Sequence, residues 1–187
     1  MQLPKKSVKP LERSAVLEGP EIFIQGNKIS TIVGKSLIKF LSRTPVRTFL
    51  LYPFVILLWE WIIHAGRIEI NYWFLPLMAW GYLQYRLCGK YRMSRGGGGP
   101  GPEIPPDELV ASGLYAYTRN PMYLGHIIFL TGLTLTLRSW LASLITIAVA
   151  LWFHFRVLAD ERNLTVKLGQ SYIAYTKSVK RWIPGLF

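Results

Sequence analysis

Four stretches of this chain are long and apolar enough to span a bilayer, and that single fact limits the fold more than any other. They run roughly over 46–65 (VRTFLLYPFVILLWEWIIHA), 72–88 (YWFLPLMAWGYLQYRLC), 121–137 (PMYLGHIIFLTGLTLTL) and 139–156 (SWLASLITIAVALWFHFR). Several sit at the short end of the roughly 17–25 residues that a spanning helix requires. Only Arg138 and its neighbours separate the last two, which predicts a tight helical hairpin. The expected fold is all-α: a polytopic membrane helix bundle of about four transmembrane helices, with a C-terminal hairpin.

The charge pattern supports this reading and orients it. The chain is 51% hydrophobic, yet it carries a net charge of +12. That combination suits either a nucleic-acid binder or a membrane protein with basic flanks. The lysines and arginines lie between the apolar blocks, and no recognition motif accompanies them, so nucleic acid is not an expected partner. The loops after the first and third blocks hold only Arg67 and Arg138 among basic residues. The rest fall in the N-terminal arm, the 89–120 connection, the C-terminal tail, or near helix ends on that same side. By the positive-inside rule the protein is multi-pass with both termini cytoplasmic. The start, MQLPKKSVKPLERSAVLEG, lacks the continuous apolar core of a secretory signal.

Two units follow. Residues 1–45 read as a cytoplasmic basic arm. Within it, 28–43 (KISTIVGKSLIKFLSR) has an apolar face and a lysine-rich face, the pattern of a helix lying on anionic lipid or packed on the protein. Residues 46–187 read as the integral membrane domain. Its connection 94–106 (SRGGGGPGPEIPP) is too rich in glycine and proline for helix or strand, and no Gly-Lys-Ser/Thr or preceding strand makes it a phosphate loop.

The chemistry concentrates at the two ends of the hairpin. In 113–125 (GLYAYTRNPMYLG), Asn120 is a favoured helix cap and Pro121 fits the first helical position. The positive end of that helix, with Arg119, suits a carboxylate or phosphate. Tyr115, Tyr117 and Tyr123 add aromatic faces. At the end of the fourth block Arg156 and Asp160 stand four residues apart, with Glu161 adjacent. Acidic groups at the mouth of a membrane helix are costly unless paired or used. A two-residue turn brings both charged ends to one side. A ligand suited to this set has an anionic end, a cationic amine, and a flat ring or cation for the tyrosines; S-adenosyl-L-methionine has all three.

GLYAYTRNPMYLG followed by ADERNLTVKLGQSYIAYTKSVKRWIPGL resembles the integral-membrane methyltransferases of the isoprenylcysteine carboxyl methyltransferase and phospholipid methyltransferase group. Their pattern is a G-x-Y-x-x-x-R-H-P-x-Y-x-G box, a hairpin, Glu-Glu, and G-x-x-Y-x-x-Y; the upstream PPDELVASG also resembles bacterial members. The resemblance covers about 104–187 and implies a cytoplasmic pocket for S-adenosyl-L-methionine in that half. It implies that Leu109, Val110, Tyr115, Asn120, Pro121, Met122 and Tyr123 line this pocket, completed by Asp160 and Glu161, with Arg119 beside them. Arg156 falls where the group places a substrate-contacting arginine, so Arg156, Glu161 and Asn120 are the expected catalytic set. Here Asn120 stands for the usual histidine and Asp160 for the first glutamate. Asparagine keeps a donor and an acceptor but cannot titrate.

The implied reaction is methyl transfer to a lipophilic acceptor, a prenylated-cysteine carboxylate or a lipid-like molecule, within a setting of membrane lipids. Two other readings share the features: a membrane reductase of the sterol-reductase type, whose chains are longer, and a non-catalytic adaptor with a degenerate site. Elsewhere, Glu60 is expected to pair with Arg86 or face a cavity. His64 is expected at an interface, His126 in the cofactor site or in helix packing, and His154 facing away. Three histidines at such spacings make no metal site. Cys88 is expected to face lipid or pack.

Overall fold

The computed structural model describes residues 38–99 and 104–182, and the residues from Phe40 onward form one compact unit. Most of the expected amphipathic stretch 28–43 lies outside the described residues. Among those described, secondary structure is entirely helical.

Helix α1 covers Thr44–Ile63, with Pro45 in its first turn and a widened π-helical turn over Arg47–Leu51. It stops at His64, where Ala65 and Gly66 take positive φ of 49° and 83° and turn the chain back. Helix α2 is Leu75–Gly96, α3 is Pro121–Leu137, α4 is Trp140–Leu168 and α5 is Gln170–Ser178. The hairpin expected between the last two apolar blocks is present. Arg138 closes α3 in the left-handed region at φ 50°, and the Ser139 hydroxyl caps α4 by accepting from Ala142 N at 3.1 Å.

Helices α1 and α4 are each long and apolar enough to cross a membrane, whereas apolar α3 has 17 residues. Helix α2 carries Arg86, Lys90, Arg92 and Arg95 in its second half. Two of the four expected spans therefore meet the requirement by themselves. At 29 residues, α4 is about 44 Å long against a hydrocarbon core of about 30 Å, so its last turns, from about Asp160, extend past it. Phe54, Leu58, Trp61 and Ile62 on α1, and Leu144, Ile147, Leu151 and Phe155 on α4, are exposed. A helix bundle can leave such a belt outward only where the surroundings are also apolar.

Small residues let α2 and α3 meet backbone to backbone. A Cβ at Gly81 would lie 2.4 Å from Phe129 N, and one at Gly125 would lie 2.8 Å from Gly81 O. Close approach of this kind maximises dispersion contacts where no hydrophobic force drives helices together. His126, one position on, is fully buried, stacks on Phe49 at 4.7 Å and meets the tilted Tyr85 ring at 4.6 Å. Of its two expected roles, it has the packing one. Cys88 is likewise packed, beside Tyr85, Val110, Tyr115 and Met122.

Two other expectations are corrected. Glu60 does not pair with Arg86. It is buried, accepts from the Ser139 hydroxyl at 2.5 Å, and lies 3.2 Å from His64 Nδ1. The reason is directional: Glu60 sits near the C-terminal end of α1, beside the hairpin turn, while Arg86 is exposed halfway along α2. The 94–106 connection is also not wholly irregular. Helix α2 persists to Gly96, because the first residue needing a positive φ is Gly97 at 69°. Beyond it, Arg92 Nη2 donates to Gly99 O and Ile104 O, both at 2.9 Å, and folds the loop against the helix.

Candidate functional site

Asn120 precedes α3 as expected, with Pro121 at the first helical position, but its side chain makes no cap bond. The amide instead crosses to the far arm of the hairpin and donates to Glu161 Oε1 and to Arg181 O, each at 3.3 Å. A carboxylate thus stands near the positive end of α3.

Glu161 is the centre of a latch. Arg119 Nε lies 3.2 Å from Oε1, and Arg181 donates to Oε2 through Nε at 3.0 Å and Nη2 at 2.9 Å. Arg119 Nη1 also donates to Thr176 O, its backbone N–H to Lys180 O, and the Thr118 hydroxyl to Arg181 O. These bonds hold the segment after α5 against the start of α3. Arg119 thus serves an internal carboxylate.

Asp160, the preceding residue, points elsewhere. Its Oδ2 accepts from the Tyr123 hydroxyl at 2.6 Å, and Arg156 Nε donates to the same hydroxyl at 3.1 Å while lying 3.9 Å from Oδ2. A cavity of about 160 Å³ opens beside this chain of contacts. Of the residues expected to form the site, Leu109, Val110, Tyr115, Arg119, Asn120, Tyr123 and Asp160 are on its wall. Pro121, Met122, Glu161 and Arg156 are close by but not on it. Pro121 O accepts from Gln84 Nε2 at 2.9 Å, and Met122 is buried in the core. Of the expected catalytic set, Asn120 is on the wall, while Glu161 and Arg156 are not.

The wall also holds Arg92, Pro105, Pro106, Asn163, Leu164, Leu168, Tyr172 and Tyr175, which motif reading did not assign. Asn163 and Leu164 follow Asp160 by three and four residues, so helical spacing puts them on its face. Tyr172 and Tyr175 are the tyrosines of the terminal G-x-x-Y-x-x-Y stretch. Tyr175 donates to Tyr115 O at 2.6 Å and thereby closes α5 over the 113–116 turn. Burial pushes the Tyr172 hydroxyl up to about 12; Glu161 adds to the rise, while Arg119 and Arg181 oppose it. Burial also pushes Tyr115 and Tyr175 up. All three stay protonated near neutral pH and act as donors, not bases. Away from the cavity, Trp182 Nε1 meets His154 Nδ1 at 3.4 Å, in keeping with a histidine that faces away.

Residues 101–170, from the loop through α4, match the family described as phospholipid methyltransferase. Over 78 residues the chain is 36% identical to the protein-S-isoprenylcysteine O-methyltransferase of Schizosaccharomyces pombe, a span of 41% of this chain and 33% of that protein. The chain thus covers about a third of that curated relative's length. No solved structure matches. The matched segment includes Tyr115, Arg119, Asn120, Tyr123, Asp160 and Glu161; Tyr172, Tyr175 and Arg181 follow it.

Proposed function

We propose that the protein transfers a methyl group from S-adenosyl-L-methionine to a prenylated-cysteine carboxylate or lipid-like acceptor at the cytoplasmic face of a membrane. In this reading 46–187 is the methyltransferase domain, 104–187 its cofactor half, and 1–45 a basic arm at the lipid surface. All four apolar blocks cross the membrane, and both termini are cytoplasmic. The observation that carries the reading is the cavity wall itself. One partly exposed carboxylate, Asp160, stands among the rings of Tyr115, Tyr123, Tyr172 and Tyr175, with the amide of Asn120 at the edge.

That donor set suits a ligand with an ammonium, a sulfonium and a flat ring. Asp160 takes the ammonium, the tyrosine faces take the cation or ring, and the Tyr172 hydroxyl offers a donor to the anionic end. The enclosed volume, about 160 Å³, is below the roughly 300–1,000 Å³ of sites that take drug-sized molecules, so the described residues enclose only part of such a ligand. Bound there, S-adenosyl-L-methionine supplies a methyl group already activated on sulfur.

What remains for the chain is alignment and exclusion of water, worth several kcal/mol. Arg156 and Asp160 fix the Tyr123 hydroxyl from two sides, which sets the ring that separates the cavity from the acceptor side. Glu161, Asn120 and Arg119 lock the cavity's rear wall. A carboxylate acceptor requires no base, which agrees with asparagine at 120 in place of a titratable histidine.

The test is calorimetric titration of the purified full chain with S-adenosyl-L-methionine, followed by transfer of labelled methyl groups into a membrane extract. Saturable binding and a labelled lipophilic product are expected. No saturable binding sinks the reading, and binding without a labelled product favours a non-catalytic adaptor.

A further inference from the structure

Arg47 lies outside the segment matched to the methyltransferase family, in the widened π turn of α1. Its guanidinium carbon sits 4.8 Å from the centre of the Trp152 ring, and that of Arg156 sits 5.5 Å from the same ring. Arg156 has the Asp160 carboxylate 3.9 Å away, whereas among the described residues no carboxylate lies within ion-pair distance of Arg47. Arg47 Nε is, moreover, buried without a hydrogen-bond partner. A snorkelling arginine would put that nitrogen in headgroup water; this one holds it inside, against the ring.

Single π turns interrupt helices at a cost and concentrate at functional sites. This one comes at the start of α1, where Arg47 meets Trp152 of α4. Trp152 is 39% exposed, so the indole that carries both cations is open to the surroundings. On the inner side Arg156 holds the Tyr123 hydroxyl, whose ring lines the cavity.

We propose that Arg47 and Arg156, seated on Trp152, form the subsite for an anionic headgroup, carboxylate or phosphate, carried by a lipophilic acceptor. A guanidinium fork binds either oxyanion in two-point fashion. The headgroup enters from the bilayer, is neutralised between the two arginines, and stands one tyrosine away from the cavity. This assignment rests on the methyltransferase reading for the word acceptor, but not for the binding itself.

The test therefore reads binding first. Full-length protein in detergent is titrated by calorimetry with N-acetyl-S-farnesylcysteine, with its carboxamide, and with a lysophosphatidic acid. Arg47→Gln and Arg47→Lys are compared with wild type. The wild type is expected to bind at least one anionic probe at least about tenfold more tightly than the carboxamide. Arg47→Gln should lose that preference, Arg47→Lys should restore part of it, and S-adenosyl-L-methionine affinity should stay unchanged in both. Whichever anionic probe binds more tightly identifies the headgroup as carboxylate or phosphate. Equal affinity for acid and amide, no effect of Arg47→Gln, or no saturable binding of either anionic probe overturns the proposal. Arg47-dependent anion binding by a protein that does not bind S-adenosyl-L-methionine would keep the subsite and remove the methyltransferase reading.

Discussion

Asp160 and Glu161 are neighbours in sequence, yet their contacts predict opposite consequences when each is removed. Glu161 is 8% exposed and receives Arg119, Arg181 and Asn120. In Glu161→Ala, the Arg119 side chain, itself 9% exposed, is left charged without its carboxylate. Removing one partner of a buried pair costs about 3–5 kcal/mol. The Arg181 side chain is 30% exposed, so water recovers much of its share, which sets the expected loss near the lower end, about 3 kcal/mol. For a chain of this length that is a fall in melting temperature of about 6–12 °C. The Asp160 side chain is 33% exposed, and Asp160→Ala gives up chiefly the Tyr123 hydrogen bond, about 1 kcal/mol or about 2–4 °C. Binding should divide the other way. Asp160→Ala is expected to lose saturable S-adenosyl-L-methionine binding, whereas Glu161→Ala, measured well below its melting temperature, should stay within about tenfold of wild type. Thermal melts followed by tryptophan fluorescence, with calorimetry on the same preparations, give both readings. A Glu161→Ala protein that melts with the wild type, or an Asp160→Ala protein that keeps wild-type affinity, refutes the division of labour.

Three further outcomes follow from contacts elsewhere. Gly81→Val drives a branched side chain into the Phe129 backbone, which cannot give way, so a loss of at least about 3 kcal/mol is expected, visible as little monodisperse protein on size exclusion. Ser139→Ala removes both the α4 cap and the donor to Glu60, a cost of about 2 kcal/mol; Asp160 lies about 30 Å along the same helix, so ligand affinity should not move. Asp107 is held below the ordinary carboxylate range, first by the hydrogen bond from Lys167 and then by Gly98 N–H. A depressed folded value stabilises above the unfolded one and is lost as pH falls through the folded one. The melting temperatures of wild type and Lys167→Gln should therefore converge between about pH 5 and pH 2, and a gap that persists at pH 2 argues against the tie.

What could be read from the sequence, and what could not, follows the range of the interactions involved. The hairpin was legible because Arg138 and Ser139 interrupt an apolar run, and local chemistry decides such a turn. Asn120 and Pro121 gave the start of α3 for the same reason. The partner of Glu60 was not legible, since Ser139 and Arg86 are both polar and only the direction of α1 relative to the hairpin selects between them. Nor was the role of the Asn120 side chain, because a cap bond is the local default, and only Glu161, forty-one residues later, outcompetes it.

The two carboxylates show how much further helical geometry alone can reach. Successive residues on an α-helix point about 100° apart, so Asp160 and Glu161 have different neighbours. Motif resemblance assigns both to the cofactor, because a motif records which residues recur and not where each one points. Helical rotation by itself gives them different neighbours. Whichever one faces the start of α3 must meet Arg119, and a buried arginine at a helix N-terminus requires a carboxylate more urgently than a solvent-exposed ligand does. Asn163 lies within one turn of Asp160, with Leu164 just beyond it on the same face, so that face belongs to the cavity lining, with Arg156 four residues before Asp160 at its border. Glu161 is left to the latch, with Thr165 donating to its carbonyl one turn on. The cavity can then be rebuilt around ligands without disturbing the fold only on the Asp160 face. Substitutions there should change what is bound, while those on the Glu161 face should change whether the C-terminal segment closes at all.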